Sequence, residues 1–166
     1  MNIDFRRATQ ADAEAMLVYL SEFWADGCDT AVQMPAMPDL EQEQQWLASR
    51  GGASAVVFLA MEEGRVIGMI EGWIQNMPEF QHNCEFGMGI LKKYRQKGIG
   101  KKLVQCILDW AHEKKLMRVE LNVFSNNLAG IALYTRMGFS EDGRRKIAVK
   151  LRDGSYCDLI HMFRTV

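Results

Sequence analysis

Residues 95–100, RQKGIG, place Gly98 and Gly100 one residue apart in a run of basic side chains, just before an amphipathic helical pattern. The first N–H groups of a helix have no partner within it. They point outward together at the positive end of the macrodipole, and such an end is a ready phosphate site. Two glycines there predict a backbone that a ligand can approach without a Cβ in the way. Lys97, Lys101 and Lys102 oppose the dipole at a cost of roughly a few tenths of a kcal/mol each, which a bound anion would turn into attraction. The P-loop pattern is not met, because Arg95 takes its first glycine position and Lys102 its Ser/Thr position. The dinucleotide fingerprint fails as well, since Gly87-Met88-Gly89 is followed by Ile90, Leu91 and Lys92. What remains is R-x-x-G-x-G.

A second polar pair lies downstream. Asn127 and Tyr134 are separated by nearly two helical turns, so they share one face, about 10 Å apart along the axis, with Gly130 between them. Asn126 is the rival for the Asn role.

These residues need elements to position them. Residues 3–8 predict a strand. Thr9 caps a helix over 10–24, with Ala13, Met16, Leu17 and Leu20 at helical spacing. Residues 25–38 contain Gly27, Pro35 and Pro38 and predict a loop; Asp39 caps a second helix over 40–49. The run SAVVFLAMEEGRVIGMIEGWIQ predicts a hairpin turning at Glu63-Gly64. A strand over 83–91 follows, then a helix over 99–115 with Ile99, Leu103, Ile107 and Trp110 along one stripe. In RVELNVF, Val119, Leu121 and Val123 alternate with polar residues, as in a strand. A short helix closed by Gly138 and two strands joined near Asp153-Gly154 complete the chain. Residues 83–124 imply one parallel crossover. The remainder predicts a mixed, mostly antiparallel sheet with helices on its faces.

A chain of 166 residues favours a single domain spanning 1–166, large enough to bury a core without a disulfide or metal staple. The cysteines, Cys28, Cys84, Cys106 and Cys157, form no CxxC pair, which predicts buried thiols in a reducing compartment and no metal. The N-terminus MNIDFRRATQ lacks an apolar segment and no apolar run spans a bilayer, so a cytoplasmic location without membrane attachment is expected. A net charge of -1 argues against a nucleic-acid partner bound by global charge. Any anionic partner must meet a local patch.

The stretch GILKKYRQKGIGKKLVQCIL resembles the coenzyme A motif of the Gcn5-related N-acetyltransferases (GNAT). The stretch NVFSNNLAGIALYTRMGF resembles a second motif of that family, matching at Asn127, Leu133, Tyr134, Gly138 and Phe139. Gly130 stands there for the usual alanine, a change worth up to about 1 kcal/mol of helix stability. The resemblance covers about residues 55–140. It implies a GNAT-like sheet of about seven strands, with about four helices on both faces. It implies acetyl-CoA as co-substrate, with the amides of Arg95, Gln96, Lys97, Gly98, Ile99, Gly100 and Lys101 cradling its diphosphate. Gln96 stands where many members have glycine and Lys92 where many have proline. The pantetheine arm would be held by the Asn127 amide and by main-chain groups of Met88 and Ile90, on a strand that splays from its neighbour.

Direct acetyl transfer to an amine needs a base for the ammonium proton, N–H donors for the charge developing on the carbonyl oxygen, and a donor at the departing sulfur. Tyr134, with an unperturbed pKa near 10 against about 8.5 for a thiol, suits the last role. Backbone N–H groups around Met88–Ile90 suit the second. Glu85, direct or through water, is the leading base, and His82 the runner-up. Trp24, Met34, Met37, Trp46, Trp73 and Phe80 are candidates for an apolar acceptor wall, suiting a small primary amine such as a hydrophobic amino acid. Asp26, Asp29, Asp39, Glu41, Glu43, Glu71 and Glu79 would suit a polyamine, but are expected to be mostly solvated. The alternatives are a peptide or protein amino-terminus, or a polyamine, as acceptor, and a non-catalytic acyl-CoA sensor, against which the retention of Tyr134 beside Asn127 argues. Arg144, Arg145 and Lys146 form a second basic cluster whose side chains alternate faces on a strand, so they cannot all serve one phosphate. Edge strands in the tail allow a homodimer.

Overall fold

The turn from the first strand to the first helix is closed by a carboxylate. Asp12 accepts from Arg6 Nη1 and Nη2 at 3.0 and 2.6 Å, and from the Thr9 amide at 2.7 Å. An acidic side chain reaching back to the cap amide satisfies a donor that the helix leaves unpaired. The computed structural model describes residues 2–27, 30–31 and 35–166. The chain forms β1 (Ile3–Arg7), α1 (Ala13–Ala25), α2 (Leu40–Arg50), β2 (Ala55–Glu62), β3 (Arg65–Ile74) and β4 (Asn83–Ile90). Then follow α3 (Ile99–Glu113), β5 (Arg118–Phe124), α4 (Leu128–Arg136), β6 (Ser140–Lys150) and β7 (Tyr156–Thr165). The element order matches the sequence pattern, with most ends displaced by a residue or two. A short 3-10 turn, Gln10–Asp12, replaces the first turn expected of the first helix. The buried stripe of α1 is Ala13, Met16, Tyr19 and Phe23. Leu17 and Leu20 are only partly buried, because the aromatic pair takes the sheet-facing line.

The strands form one seven-stranded sheet in the order β1-β2-β3-β4-β5-β7-β6. Among the described residues, only β4 and β5 run parallel. Glu63 (φ 48°) and Gly64 (φ 79°) turn β2 into β3 with both residues left-handed, as a two-residue hairpin of type I′ requires. Helices cover both faces. A Cβ on Gly72 would meet Ile107 Cδ1 of α3 at 2.8 Å, so the even-numbered side of β3 faces α3. A Cβ on Gly89 would land on the Tyr19 hydroxyl and within 3.1 Å of Phe23, so the odd-numbered side of β4 faces α1. The α3 stripe predicted from sequence is fully buried at Ile99, Leu103, Ile107 and Trp110. Among the described residues, no helix is long and apolar enough to cross a membrane.

The parallel pair is short. Register runs through Asn83–Arg118, Cys84–Val119 and Glu85–Glu120 and then ends, although β4 continues to Ile90 and β5 to Phe124. Beyond Glu85 the two strands diverge.

Arg6 first, and Thr9 after it, hold the Asp12 carboxyl down to about 2, against the opposing effect of burial. A depressed carboxylate stabilises the fold above its unfolded pKa and loses that contribution as pH falls towards the folded value. Asp12→Asn is therefore expected to lower stability by about 2 kcal/mol at neutral pH. The difference from the parent should shrink between about pH 4 and pH 2, as followed by urea unfolding across pH.

Candidate active site

The divergence leaves main chain exposed on the β5 side of β4. Leu91 donates its amide to the Ile67 carbonyl at 3.0 Å. Main-chain groups alternate along an antiparallel ladder, so Gly87 and Gly89 also face β3, while Met88 and Ile90 face the gap. The Ile90 carbonyl accepts from Arg95 Nε at 2.9 Å, which folds the Arg95 side chain back against the end of β4.

The turn that follows carries the R-x-x-G-x-G residues into α3. Gly98 is its N-cap, at φ 80°, and no side chain among the described residues caps the helix. The first intrahelical bond is donated by Lys102 to the Gly98 carbonyl. The amides before it thus lie at an uncapped, positive helix end. Gln96 is also left-handed, at φ 60°. A non-glycine residue there costs roughly 1–2 kcal/mol.

The two glycines stand in different surroundings, and only at Gly100 is the missing Cβ taken up by packing. Around Gly98 a Cβ would meet no described atom within 4 Å, and its φ lies in the left-handed region that glycine favours. Gly100 is buried, and a Cβ there would come within 2.9 Å of Leu133 Cδ2, 3.4 Å of Ile90 Cδ1 and 3.5 Å of Met88 Cε. It lets α3, α4 and β4 close on each other. Ile99 is buried as well, while Gln96, Lys97 and Lys101 are exposed. Of the lysines, Lys102 lies with Nζ 5.2 Å from the Phe5 ring of β1, and Lys97 stacks on Tyr94 at 5.3 Å.

A cavity of about 1000 Å³ runs from the gap to the face covered by α1 and α2. Tyr134, Asn127, Met88 and Glu85 all line it. Tyr134 is 7% exposed. Its ring meets Phe86 edge-on at 5.8 Å and Phe139 at 6.1 Å. Burial pushes its hydroxyl up to about 12, so it is protonated at neutral pH by a wide margin. Asn127 caps α4, its Oδ1 accepting from the Gly130 amide at 2.9 Å. A Cβ on Gly130 would come within 2.7 Å of Asn127 Nδ2, so the glycine seats the capping side chain itself.

Glu85 accepts from Asn122 Nδ2 at 2.9 Å. Asn122 Oδ1 lies 3.2 Å from His161 Nδ1, whose Nε2 is 3.4 Å from Glu120. Asn122 and His161 carry no sequence signal, because alternation assigns the polar side of β5 to solvent. His82 stands apart: it is exposed at the opposite end of β4, and its carbonyl receives the amides of Met117 and Arg118. Trp24, Met37, Trp46 and Trp73 line the cavity as expected. Phe80 does not, being 50% exposed beside β4, and Met34 and Asp29 lie outside the described residues. Most of the acidic candidates are elsewhere: Asp26 accepts from the Lys92 amide, Asp39 caps α2 and Glu41 pairs with Gln45. Glu43 and Glu71 are the exceptions, since both line the cavity. Arg144 is tied to Glu141 and Asp158.

The family model for the acetyltransferase (GNAT) family matches residues 17–139. This chain belongs to that family. The L-amino acid N-acetyltransferase AaaT of Escherichia coli K12 is 30% identical over 138 residues, covering 82% of each chain. An L-methionine sulfoximine/L-methionine sulfone acetyltransferase of Pseudomonas paraeruginosa is 27% identical over 164 residues, covering 98% of this chain and 94% of that one. Among solved structures, a GNAT-family acetyltransferase from Streptococcus pneumoniae superposes with a TM-score of 0.92 at 20% identity, covering 99% of this chain and 100% of its own. The GNAT fold is thus established, and with it an acyl-CoA-dependent N-acetyltransferase.

Backbone conformation at the turn can be tested by paired substitutions. Gly98→Ala should lower stability by about 1 kcal/mol. Gln96→Gly should raise it by up to about 1 kcal/mol, the relief of strain being partly offset by a freer unfolded chain. Urea midpoints that move in the same direction would contradict the left-handed turn.

Proposed function

We propose that the protein moves an acetyl group from acetyl-CoA to the primary amine of a small molecule, by direct transfer in a ternary complex. The observation that carries this reading is the divergence of β4 from β5. It opens unpaired main chain onto a cavity with Glu85 on one side and Tyr134 on the other. The names of the E. coli and Pseudomonas relatives, which act on amino acids and a methionine analogue, support a small acceptor.

The residues present fit acetyl-CoA. The uncapped amides from Gln96 to Lys101 meet the diphosphate, where α3's dipole favours negative charge. Asn127 keeps Nδ2 as a donor while Oδ1 holds the cap, and the main chain of Met88 and Ile90 offers strand-like pairing along the gap. Acetyl-CoA supplies the acetyl group as an activated thioester.

Glu85 removes the ammonium proton, directly or through a water. Asn122 fixes the carboxylate by donating to Oε1, and His161 holds the Asn122 amide in the orientation that donates. The Met88 and Ile90 amides face the side on which charge develops at the carbonyl oxygen, and dipoles fixed beforehand cost no reorganisation when the charge appears. Tyr134 acts at the sulfur. With its hydroxyl near 12, full transfer to a thiolate of ordinary pKa near 8.5 is uphill by about 5 kcal/mol. Its work is therefore first to donate a hydrogen bond. The proton follows as far as the same apolar walls raise the basicity of the sulfur.

A thiol-release assay over a panel of amines tests the reading. Tyr134→Phe should keep coenzyme A affinity within about twofold and lose at least about tenfold in turnover. An unchanged rate removes Tyr134 from the chemistry. Glu85→Gln should lower kcat by about a hundredfold or more, and tight coenzyme A binding without turnover of any amine would mark the protein as a sensor instead.

A further inference from the structure

Glu43 and Glu71 give the cavity a second polar end that the transfer step does not use. Glu43, from α2, is 4% exposed, and its Oε1 has no hydrogen-bond partner among the described residues. Burial raises its pKa, and the charge of Glu71 raises it further. Burial raises Glu71 too, against the lowering effect of Arg50, whose Nε lies 2.9 Å away. Arg50 itself is stacked over Trp46 at 5.5 Å and is not part of the cavity lining. Among the described residues, the lining holds the carboxylates Glu43, Glu71 and Glu85 and no Lys, Arg or His.

A buried carboxylate lacking a partner must take up a proton or meet a cation. An α-amino acid would bring its own carboxylate within a carbon of the reacting nitrogen, next to Glu85 and Glu71. Trp24 Nε1 is a second orphaned polar atom on this wall, but it is a neutral donor, and Arg50 compensates Glu71 alone among the three carboxylates. Register places Glu71 opposite Gly87 and Trp73 opposite Glu85. Glu71 and Glu85 are therefore diagonal neighbours on one face, about 7–8 Å apart. Trp46 and Trp73 offer an apolar, cation-tolerant wall for a methylene stem.

Building on the acetyltransferase reading above, we propose that Glu43 and Glu71 form a subsite for a second cationic nitrogen, so that the preferred acceptors are linear aliphatic diamines and polyamines rather than α-amino acids. One nitrogen lies at Glu85 and reacts. The other stays protonated, lies against the Glu43 and Glu71 carboxylates, and sets the register of the chain between them.

The test compares putrescine with n-butylamine, which has the same stem and no second charge, and with L-methionine, all at saturating acetyl-CoA. Putrescine should exceed both in kcat/KM by at least about tenfold. In Glu43→Gln, whose side chain keeps its size and loses a buried charge, the putrescine-to-butylamine ratio should fall to near one through a rise in KM for putrescine. Equal use of putrescine and butylamine by the parent, a preference for methionine, or a ratio preserved in Glu43→Gln overturns the subsite while leaving the acetyltransferase reading intact. Should no amine be acetylated, titration calorimetry with putrescine in the presence of coenzyme A decides. Binding that Glu43→Gln weakens about tenfold keeps the subsite and removes the transferase reading, whereas absent binding removes both.

Discussion

Everything at the candidate site depends on β4 and β5 parting after Glu85 and Glu120. An unpaired strand edge inside a sheet is unfavourable unless something occupies the space and something else takes up the main-chain groups. Several contacts hold the parting open. Tyr19 and Phe23 press on the bare backbone at Gly89 from one face. From the other, Tyr134 and Phe139 pack edge-on against Phe86, and Leu133 fits over Gly100. Arg95 ties the Ile90 carbonyl at the far end. Tyr19, Phe23, Phe86 and Tyr134 thus both line the cavity and pack around the parting.

The gap joins two ends of opposite polarity. At one, the uncapped start of α3 and the lysines around it present positive potential. At the other, the cavity wall carries the carboxylates Glu43, Glu71 and Glu85, of which Glu71 is paired with Arg50. An anionic donor and a cationic acceptor would therefore approach from different sides and meet where the chain provides main-chain amides. The apolar middle, with Tyr134 held near 12 by burial, keeps a proton available at the junction without leaving a charge there.

Much of this was legible in the sequence, and for a physical reason. The stripe of α3, the Glu63-Gly64 turn and the capping box at Asp39 are local patterns, decided by residues within a few positions of each other. The paired motifs were legible too, because their spacing encodes a turn and a helix face. What was hidden arises from contacts distant in sequence. Gly100 reads as a loop glycine until Leu133 is packed on it. Gly130 reads as a helix weakener until Asn127 is seen to fill its missing Cβ. Glu43 reads as one solvated charge among many on a polar helix, and only folding sets it at 4% exposure beside Glu71. Asn122 and His161 sit at polar positions of β5 and β7 that alternation alone assigns to water.

Amide hydrogen exchange at Gly87, Met88, Gly89 and Ile90 probes the parted strand most directly. In the free protein the Gly87 and Gly89 amides, which belong to the β3 ladder, should exchange slowly, and those of Met88 and Ile90 quickly. Saturating coenzyme A should slow Met88 and Ile90 by at least about tenfold and change their glycine neighbours little. Met88 and Ile90 amides already protected in the free protein, or left unprotected with coenzyme A bound, would contradict an open edge that receives the acyl carrier.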